Sequence, residues 1–349
     1  MSLSALKTIA GLAPMPTEVL AQIELIKFAD SNHVLGQMAY AMKGGQGGAL
    51  QDILTNGKLR AEHDHTMLKF EMDRVERAFV GQPVPIIVLK GGAYVSGGMR
   101  AGMGRRVSDL DILVRPEDIE KVETQLLSFG WRPDEETDND YDQQYYREHM
   151  HELPPLRHKN RGTVIDVHHA LLPKTARHSV KTERLFSDAL PVGKGNLHIF
   201  QPTDLLIHSA VHAYSDGAID TPARTILEQY FLFSELGPKD KKILVERAQE
   251  VSASMPVGLA LWLVGRLFDV ETAQEASKKL ISPLRYFLLK RAILNKLAAG
   301  KLSVFGKVYL YIRSHYLRMP LYLLLPHLLR KAIRWRPGSN VPKDLPFPQ

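Results

Sequence analysis

The sequence predicts an α+β protein whose strand-containing core lies between an N-terminal helical region and a C-terminal helical domain. Short runs rich in β-branched residues occur between about residues 83 and 200, whereas apolar spacings of three and four dominate on both sides. An acidic strand-like run is also followed directly by an amphipathic helix. Alternation at every second residue indicates a strand, whereas apolar spacings of three and four indicate a helix. They predict a helical region over residues 1–80, a core over 81–200, and a helical domain with a basic tail over 201–349.

The flanking helices are predicted from the spacing of apolar residues and from helix-ending residues. Residues 17–28 and 59–79 have helical spacing, and the GGQGG run at 44–48 between them predicts a flexible connection. On the C-terminal side, residues 221–236 are predicted to form a helix that ends at Gly237-Pro238.

The core begins with a hydrophobic run, residues 85–89, that ends at Lys90-Gly91-Gly92. β-branched residues favour a strand, and glycines without side chains let backbone N–H groups approach a ligand. A helix starting there would favour a phosphate, because free amides and the positive end of the helix dipole meet at its first turn. Glycine turns after strands are common, so this motif alone is weak.

Asp109 and Asp111 follow Gly92 in a second strand-like run, DLDIL. Residues i and i+2 of a strand point to the same face, so the two carboxylates project together while Leu110 and Ile112 face the opposite side. Neighbouring carboxylates repel each other unless a cation lies between them, and Mg²⁺ prefers oxygen ligands. The pair therefore predicts a metal and phosphate site.

Residues 116–129 directly after this strand predict an amphipathic helix. Pro116 and two acidic residues mark its first turn, and Gly130 marks its end.

A third carboxylate, Asp166, lies in the strand-like run TVIDVH. It shares a face with Val164 and His168. A buried, ionised carboxylate is costly unless it is paired or binds a metal, whereas an aspartate on an edge strand would face water. Both interpretations are open from this run alone.

The stretch from Ile86 to His169 resembles the DNA polymerase beta-like nucleotidyltransferase superfamily. The shared pattern is a hydrophobic residue, two glycines, a spacer, Asp-x-Asp and a later carboxylate. More narrowly, the segments LKGG, RVSDLDILVRPEDIEKVETQLLSFGW and HELPPLRHKNRGTVIDVHHALL resemble a bacterial family of uncharacterised nucleotidyltransferases. The resemblance covers about a quarter of the chain, and it implies a core made of a mixed sheet with flanking helices.

This resemblance implies a role for each matched residue. Asp109 and Asp111 would bridge two Mg²⁺ ions, for which Mn²⁺ could substitute, and Asp166 would hold the ion that activates the attacking hydroxyl. Asp166 could also accept the hydroxyl proton. Gly91 and Gly92 would cradle the triphosphate of a bound NTP such as ATP.

Several basic side chains are candidates to meet the phosphates: Lys90, Arg100, Arg105 and Arg106. Arg106 matches an arginine of the narrower family, whereas Arg105 is expected to face solvent. Many superfamily members carry a serine where this chain has Gly92, so Ser96 or a backbone amide is the expected substitute for that phosphate contact.

The histidines offer a competing site. His208 and His212 are spaced i and i+4 in a predicted helix that Thr203 could cap, as two zinc ligands would be. A zinc hydrolase would need a third ligand, and no clear spacing supplies one. The remaining candidates belong to the family-like block and are predicted to line the cleft: His149, His151, His168 and His169.

Composition indicates a globular chain: 44% of its 349 residues are hydrophobic and 24% are charged. The chain has no cysteine, which excludes disulfides and thiolate metal sites within it and suits a reducing cytoplasm. The N-terminal residues lack the pattern of a signal peptide, and no apolar run reaches the length of a membrane span. The sequence predicts a cytoplasmic protein.

Charge is distributed unevenly. Residues 276–343 contain 15 Lys or Arg and no Asp or Glu, while the rest of the chain holds 30 basic and 38 acidic residues. Aromatic residues are interleaved there, so this region could bind an anionic membrane surface at the inner face or another polyanion. A helical subdomain with solvated basic faces is the simpler interpretation.

Two functions follow from these patterns. The first is an enzyme that moves a nucleoside monophosphate from an NTP to a hydroxyl of a small molecule, peptide or protein and releases pyrophosphate. The second is a catalytically silent module of the same fold that binds or regulates, at a membrane in one version. The presence of all three carboxylates favours the enzyme.

Overall fold

A computed structural model describes residues 2–42, 48–134, 150–193, 195–215, 219, 221–282, 284 and 286–318. Most of the GGQGG run lies outside these residues, and its last glycine begins a helix of 31 residues.

Seven strands form one sheet in the described residues, in the spatial order β3-β4-β5-β2-β1-β7-β6. Their bounds are β1 Ile86–Val88, β2 Asp109–Leu113, β3 Trp131–Pro133, β4 Leu156–His158, β5 Val164–His168, β6 Leu190–Pro191 and β7 Leu197–Ile199. β2 pairs in parallel with β5 and antiparallel with β1, and β1 pairs in parallel with β7. The sheet is therefore mixed, which confirms the predicted α+β class.

Fourteen α-helices surround this sheet in the described parts of the chain. They are α1 Ser2–Ile9, α2 Val19–Ser31, α3 Leu35–Ala41, α4 Gly48–Ala78, α5 Lys90–Ser96, α6 Ile119–Ser128, α7 Thr182–Ser187, α8 Pro202–Ser215, α9 Pro222–Glu235, α10 Pro238–Glu250, α11 Ser254–Phe268, α12 Glu271–Leu280, α13 Phe287–Ala299 and α14 Val304–Arg318. A short 3₁₀ turn, Pro116–Asp118, precedes α6. The helix predicted after the acidic strand is present.

The long helix α4 supports the sheet from the N-terminal side. Leu68, Met72 and Val75 are buried in the hydrophobic core on one face of α4, because their spacings of three and four place them together. Glu71 on the same helix is buried but paired, since its carboxylate accepts two hydrogen bonds from Arg161 at 2.7 and 2.9 Å. A buried carboxylate is tolerated when it is paired in this way.

The C-terminal helices close the other side of the core. α8 is buried along nearly its whole length and contacts α5, α9, α10 and α11. Because α8 begins at Pro202, Thr203 lies inside its first turn, and the prediction that Thr203 caps this helix is wrong. Core residues from all three predicted regions belong to one hydrophobic cluster, and the predicted domain boundaries stay a prediction.

No helix in the parts of the chain that the structure describes is long and apolar enough to cross a bilayer.

Candidate active site

The parallel pairing of β2 and β5 brings the three aspartates together. Asp111 stands opposite Asp166 in the ladder, and Asp109 stands opposite Val164. Residues opposite each other in register project to the same face of a sheet, and residues two apart on one strand do so as well. Asp109, Asp111 and Asp166 therefore share one face at neighbouring positions, although 55 residues separate the second and third in sequence.

Asp111 is held as a carboxylate by two partners. Its side chain is 5% exposed, and its Oδ1 accepts a hydrogen bond from Lys90 Nζ at 2.6 Å and lies 3.2 Å from His168 Nε2. Burial alone would raise the pKa of Asp111, but the charge of Lys90 and the hydrogen bond with His168 hold it well below its usual range. This group is an anion at neutral pH.

Asp166 is in the opposite situation. Its Oδ1 is buried and has no hydrogen-bond partner. Burial, together with the negative charges of Asp111 and Glu152, raises the pKa of Asp166 to about 7. A carboxylate oxygen without a partner, beside a second carboxylate that stays ionised, is a place where a divalent cation would relieve both the repulsion and the missing contact. The three aspartates thus fit a metal ion by charge and by ligand type.

His168 connects Asp111 to a further acid, Glu152. The Nδ1 of His168 lies 3.2 Å from Glu152 Oε2, while its Nε2 contacts Asp111. His151, Glu152 and His168 also offer ligand atoms that lie within 4.8 Å of one another. Sequence reasoning placed these histidines in the cleft but did not single out Glu152, whose only signal was its position in the HELPP block.

The glycine turn lies where the pattern predicts, in the first turn of α5. The φ of Lys90 is +47°, a left-handed conformation that costs a non-glycine residue about 1 kcal/mol, and the Lys90 side chain reaches Asp111. A Cβ on Gly91 would lie 1.9 Å from Arg105 Nη1, and one on Gly92 would lie 2.7 Å from Val88 Cγ1. Close packing therefore accounts for both glycines without a ligand.

Ser96 lies at the end of α5. Its hydroxyl donates to the Gly92 carbonyl at 2.7 Å, and Ser96 is not among the residues that line the cavity described below. This placement gives no support to a phosphate contact by Ser96.

The environment of Arg105 differs from the one predicted. Arg105 does not face solvent: its side chain is 11% exposed, and its Nε donates to Glu228 Oε1 at 2.9 Å, a carboxylate that is 7% exposed. The prediction failed because the partner is on α9, 123 residues away. Arg106 is the exposed one, and it pairs with Asp64 on α4.

Arg100 lies away from the aspartates. Its guanidinium donates to the Ala10 carbonyl at 2.9 Å, and it lines a different cavity.

A cavity of about 330 Å³ opens beside Asp109 and Asp111, and Asp166 is not among the residues that line it. Its sheet side carries Lys90, Arg105, Arg106, Asp109 and Asp111, and residues of α8 and α9 form a helical wall. The residues of that helical wall are His208, Ser209, His212, Ala213, Tyr214, Pro222, Arg224, Thr225 and Glu228. The cavity is thus polar, and its sheet side carries both basic and acidic side chains.

His208 and His212 both line this cavity. Their rings stack with centroids 6.3 Å apart. Burial, together with the charge of Lys90, lowers the pKa of His208 to about 3 and that of His212 well below its usual range, so both are neutral at pH 7. Neither belongs to a group of three metal-ligand side chains among the described residues, and the zinc hydrolase hypothesis gains no third ligand.

His149, which was predicted to line the cleft, lies outside the described residues. Tyr94 is 2% exposed and lines the cavity.

Comparison with known proteins identifies a family and a structural likeness. A family model described as uncharacterised nucleotidyltransferase matches residues 22–269. A solved structure of the antibiotic-resistance factor ANT(2'')-Ia is similar at 15% identity and a TM-score of 0.35, over 54% of this chain and 93% of that one. The search of curated proteins found no match.

Proposed function

The chain belongs to the uncharacterised nucleotidyltransferase family, and we propose that it moves a nucleoside monophosphate from an NTP to a hydroxyl group of a small-molecule, peptide or protein acceptor. The observation that carries this proposal is the placement of Asp111 opposite Asp166 on the same face as Asp109. In the reaction, the acceptor oxygen forms a bond to the α-phosphorus of the NTP. The bond between the α-phosphorus and the oxygen that bridges it to the β-phosphate breaks, and pyrophosphate departs.

Asp109, Asp111 and Asp166 are the residues that would hold Mg²⁺, or Mn²⁺ in its place. Support comes from the Asp166 oxygen that lacks a hydrogen-bond partner and from the raised pKa of that group. When bound, a pair of such ions activates the attacking hydroxyl and neutralises charge on the leaving pyrophosphate.

The protein's own side chains supply the remaining chemistry. Lys90 and Arg106 line the sheet side of the cavity, and we assign them to the NTP phosphates. Gly91 and Gly92 follow Lys90 in the first turn of α5, and their backbone amides are candidates for the same task. Arg105 also lines the cavity, but its side chain is only 11% exposed and pairs with the buried carboxylate of Glu228, so we do not assign it to phosphate. Asp166 is also our candidate to accept the proton of the attacking hydroxyl.

The test is to incubate the protein with labelled ATP, CTP, GTP or UTP and Mg²⁺ or Mn²⁺, and to measure pyrophosphate release and label transfer. Wild-type protein should release pyrophosphate, and Asp109→Ala/Asp111→Ala should reduce the rate by roughly a thousandfold or more. Glu117→Ala/Glu120→Ala removes two exposed carboxylates that follow β2 and is the matched control.

Two results would reject the enzyme. If NTP binds with metal but neither pyrophosphate nor transferred label is formed with any acceptor mixture, the chain is a binding module. If NTP and metal do not bind at all, or if the aspartate substitutions change nothing, the site assignment is wrong.

A further inference from the structure

The outward face of α14 is apolar. Val304, Phe305, Val308 and Ile312 are 80, 66, 51 and 45% exposed, and Tyr311 and Tyr316 are exposed beside them. At 3.6 residues per turn these six positions fall on one side of the helix. We call this set the outer face of α14. Several exposed apolar side chains grouped on one side of a helix are typical of an interaction surface.

The helix is nevertheless fixed to the body of the protein by its other side. Leu310 and Leu317 are buried. The Arg313 guanidinium donates to the Tyr214 carbonyl at 2.5 Å, and the Leu317 carbonyl accepts from the Arg177 amide at 3.0 Å. Apolar side chains therefore occupy both the buried side and the outer face, whereas an ordinary surface helix presents polar residues to solvent.

The charge of the sequence segment that contains α14 selects the kind of partner. The segment 276–343, which includes α13 and α14, has 15 Lys or Arg and no acidic residue. Leu284, Phe287 and Leu288 in the same segment are also exposed, at 83, 58 and 42%. An occupant must therefore accept apolar side chains and carry negative charge.

We propose that the outer face of α14 binds the surface of an anionic lipid bilayer. With the helix in the plane of the surface, the aliphatic side chains and Phe305 enter the boundary between headgroups and acyl chains, and tyrosines stand at the polar level. Exposed basic residues on and beside α13 and α14, namely Arg291, Lys301 and Lys307, attract anionic headgroups, whereas Lys290 and Arg313 are buried and take no part. Added salt screens that attraction.

Other occupants fit less well. A second copy of the chain would bring an equal set of positive charges against this one, and like charges at an interface are unfavourable. Nucleic acid would satisfy the charge, but its phosphate backbone leaves Val308 and Ile312 in water. Of these three occupants, the bilayer surface meets both demands.

The experiment is sedimentation of the full-length chain with vesicles of phosphatidylcholine alone or of phosphatidylcholine mixed with phosphatidylglycerol. Wild type should bind the mixed vesicles at least about tenfold more tightly than the neutral ones, and added salt should weaken the binding. Val308→Ser/Ile312→Ser should lower binding to mixed vesicles by about tenfold or more, because two apolar side chains are removed from the boundary.

Val19→Ser/Leu20→Ser is the matched control, since these residues are 68 and 76% exposed on α2, far from the basic segment in sequence. It should bind like wild type, and circular dichroism should show that all variants are folded. The proposal is overturned if wild type binds neither kind of vesicle, or binds both kinds equally. It is also overturned if Val308→Ser/Ile312→Ser binds the mixed vesicles as tightly as wild type does, or if the only effect of this substitution is to dissociate a dimer of the chain. The proposal would also be overturned if the chain binds heparin but no vesicles, and Val308→Ser/Ile312→Ser binds heparin as tightly as wild type does. The basic residues would then be assigned to binding a polyanion.

Discussion

Asp111 and Asp166 show how neighbouring identical residues acquire different properties. They are opposite each other in the β2–β5 ladder, yet Asp111 has Lys90 and His168 as partners, and Asp166 Oδ1 has none. Because Asp111 is ionised and the site is buried, a second charge beside it is costly, so the pKa of Asp166 rises. A division of this kind suits a site in which one carboxylate is always charged and the other exchanges a proton.

This division predicts how stability depends on pH without metal. The pKa of Asp166 is raised to about 7 from 3.8, so between these values the folded state holds a proton that the unfolded state has lost. The contribution of Asp166 is fully present below about pH 4 and is lost as the pH rises through 7. In EDTA, the Tm of wild type should fall by a few degrees relative to Asp166→Asn between pH 5 and pH 8.

Differential scanning calorimetry of both proteins at each pH would measure this difference. Mg²⁺ added at pH 8 should restore the Tm of wild type but not raise that of Asp166→Asn to the same extent. If the difference in Tm between wild type and Asp166→Asn is the same at every pH, the neighbours of Asp166 do not raise its pKa.

At the scale of elements, the loop that leads into β2 is positioned by close backbone contact. Gly104 has a φ of +73°, and a Cβ there would lie 2.2 Å from the Gly36 carbonyl oxygen on α3. After it, the Arg105 carbonyl oxygen lies 2.8 Å from His65 Nε2, and the Val107 amide donates to Asp64 at 3.2 Å. These contacts fix the chain just before Asp109.

Gly104→Ala is therefore predicted to destabilise the protein by about 2–4 kcal/mol, from left-handed strain of about 1 kcal/mol plus displacement of a backbone neighbour. Gly98→Ala is the matched control, because Gly98 has a φ of +65° and a Cβ added there would meet nothing within 4 Å, so it should cost only about 1 kcal/mol. Thermal unfolding compares the two. Equal losses would mean that the contact between Gly104 and Gly36 does not hold the loop.

The strands and helices also show which parts of the fold the sequence could predict. The strands at residues 86–88, 109–113 and 164–168 and the helix after β2 were visible because each is local and periodic. The shared face of Asp109 and Asp111 follows from strand geometry alone. The ladder position of Asp166 does not, since register between distant strands is set by tertiary packing.

The partners of the basic residues were beyond sequence reasoning for the same reason. Arg105 finds Glu228 on α9, and Arg106 finds Asp64 on α4. Adjacent residues with opposite exposure, in a loop without periodicity, carry no signal that distinguishes one from the other. Likewise, the ion pair between Lys90 and Asp111 could not be predicted from the sequence, and the phosphate contact of Lys90 stays a prediction.

On the scale of the whole molecule, the N-terminal and C-terminal helices serve the site as well as the core. α4 holds the loop before Asp109, while α8 and α9 line the same cavity as Asp109 and Asp111. The family match covers residues 22–269 and so includes all of these elements. Acceptor specificity is expected in the helical wall, because the sheet side is occupied by groups suited to metal and phosphate.

We propose that Asp109, Asp111 and Asp166 hold divalent metal together with an NTP. Mn²⁺ binding, followed by electron paramagnetic resonance with and without a non-hydrolysable NTP analogue, tests it without knowledge of the acceptor. Wild type should bind Mn²⁺ more tightly when the analogue is present, and Asp109→Asn/Asp111→Asn should lose that binding while Glu117→Gln/Glu120→Gln retains it. Equal Mn²⁺ binding by all three proteins, with or without the analogue, would contradict the claim.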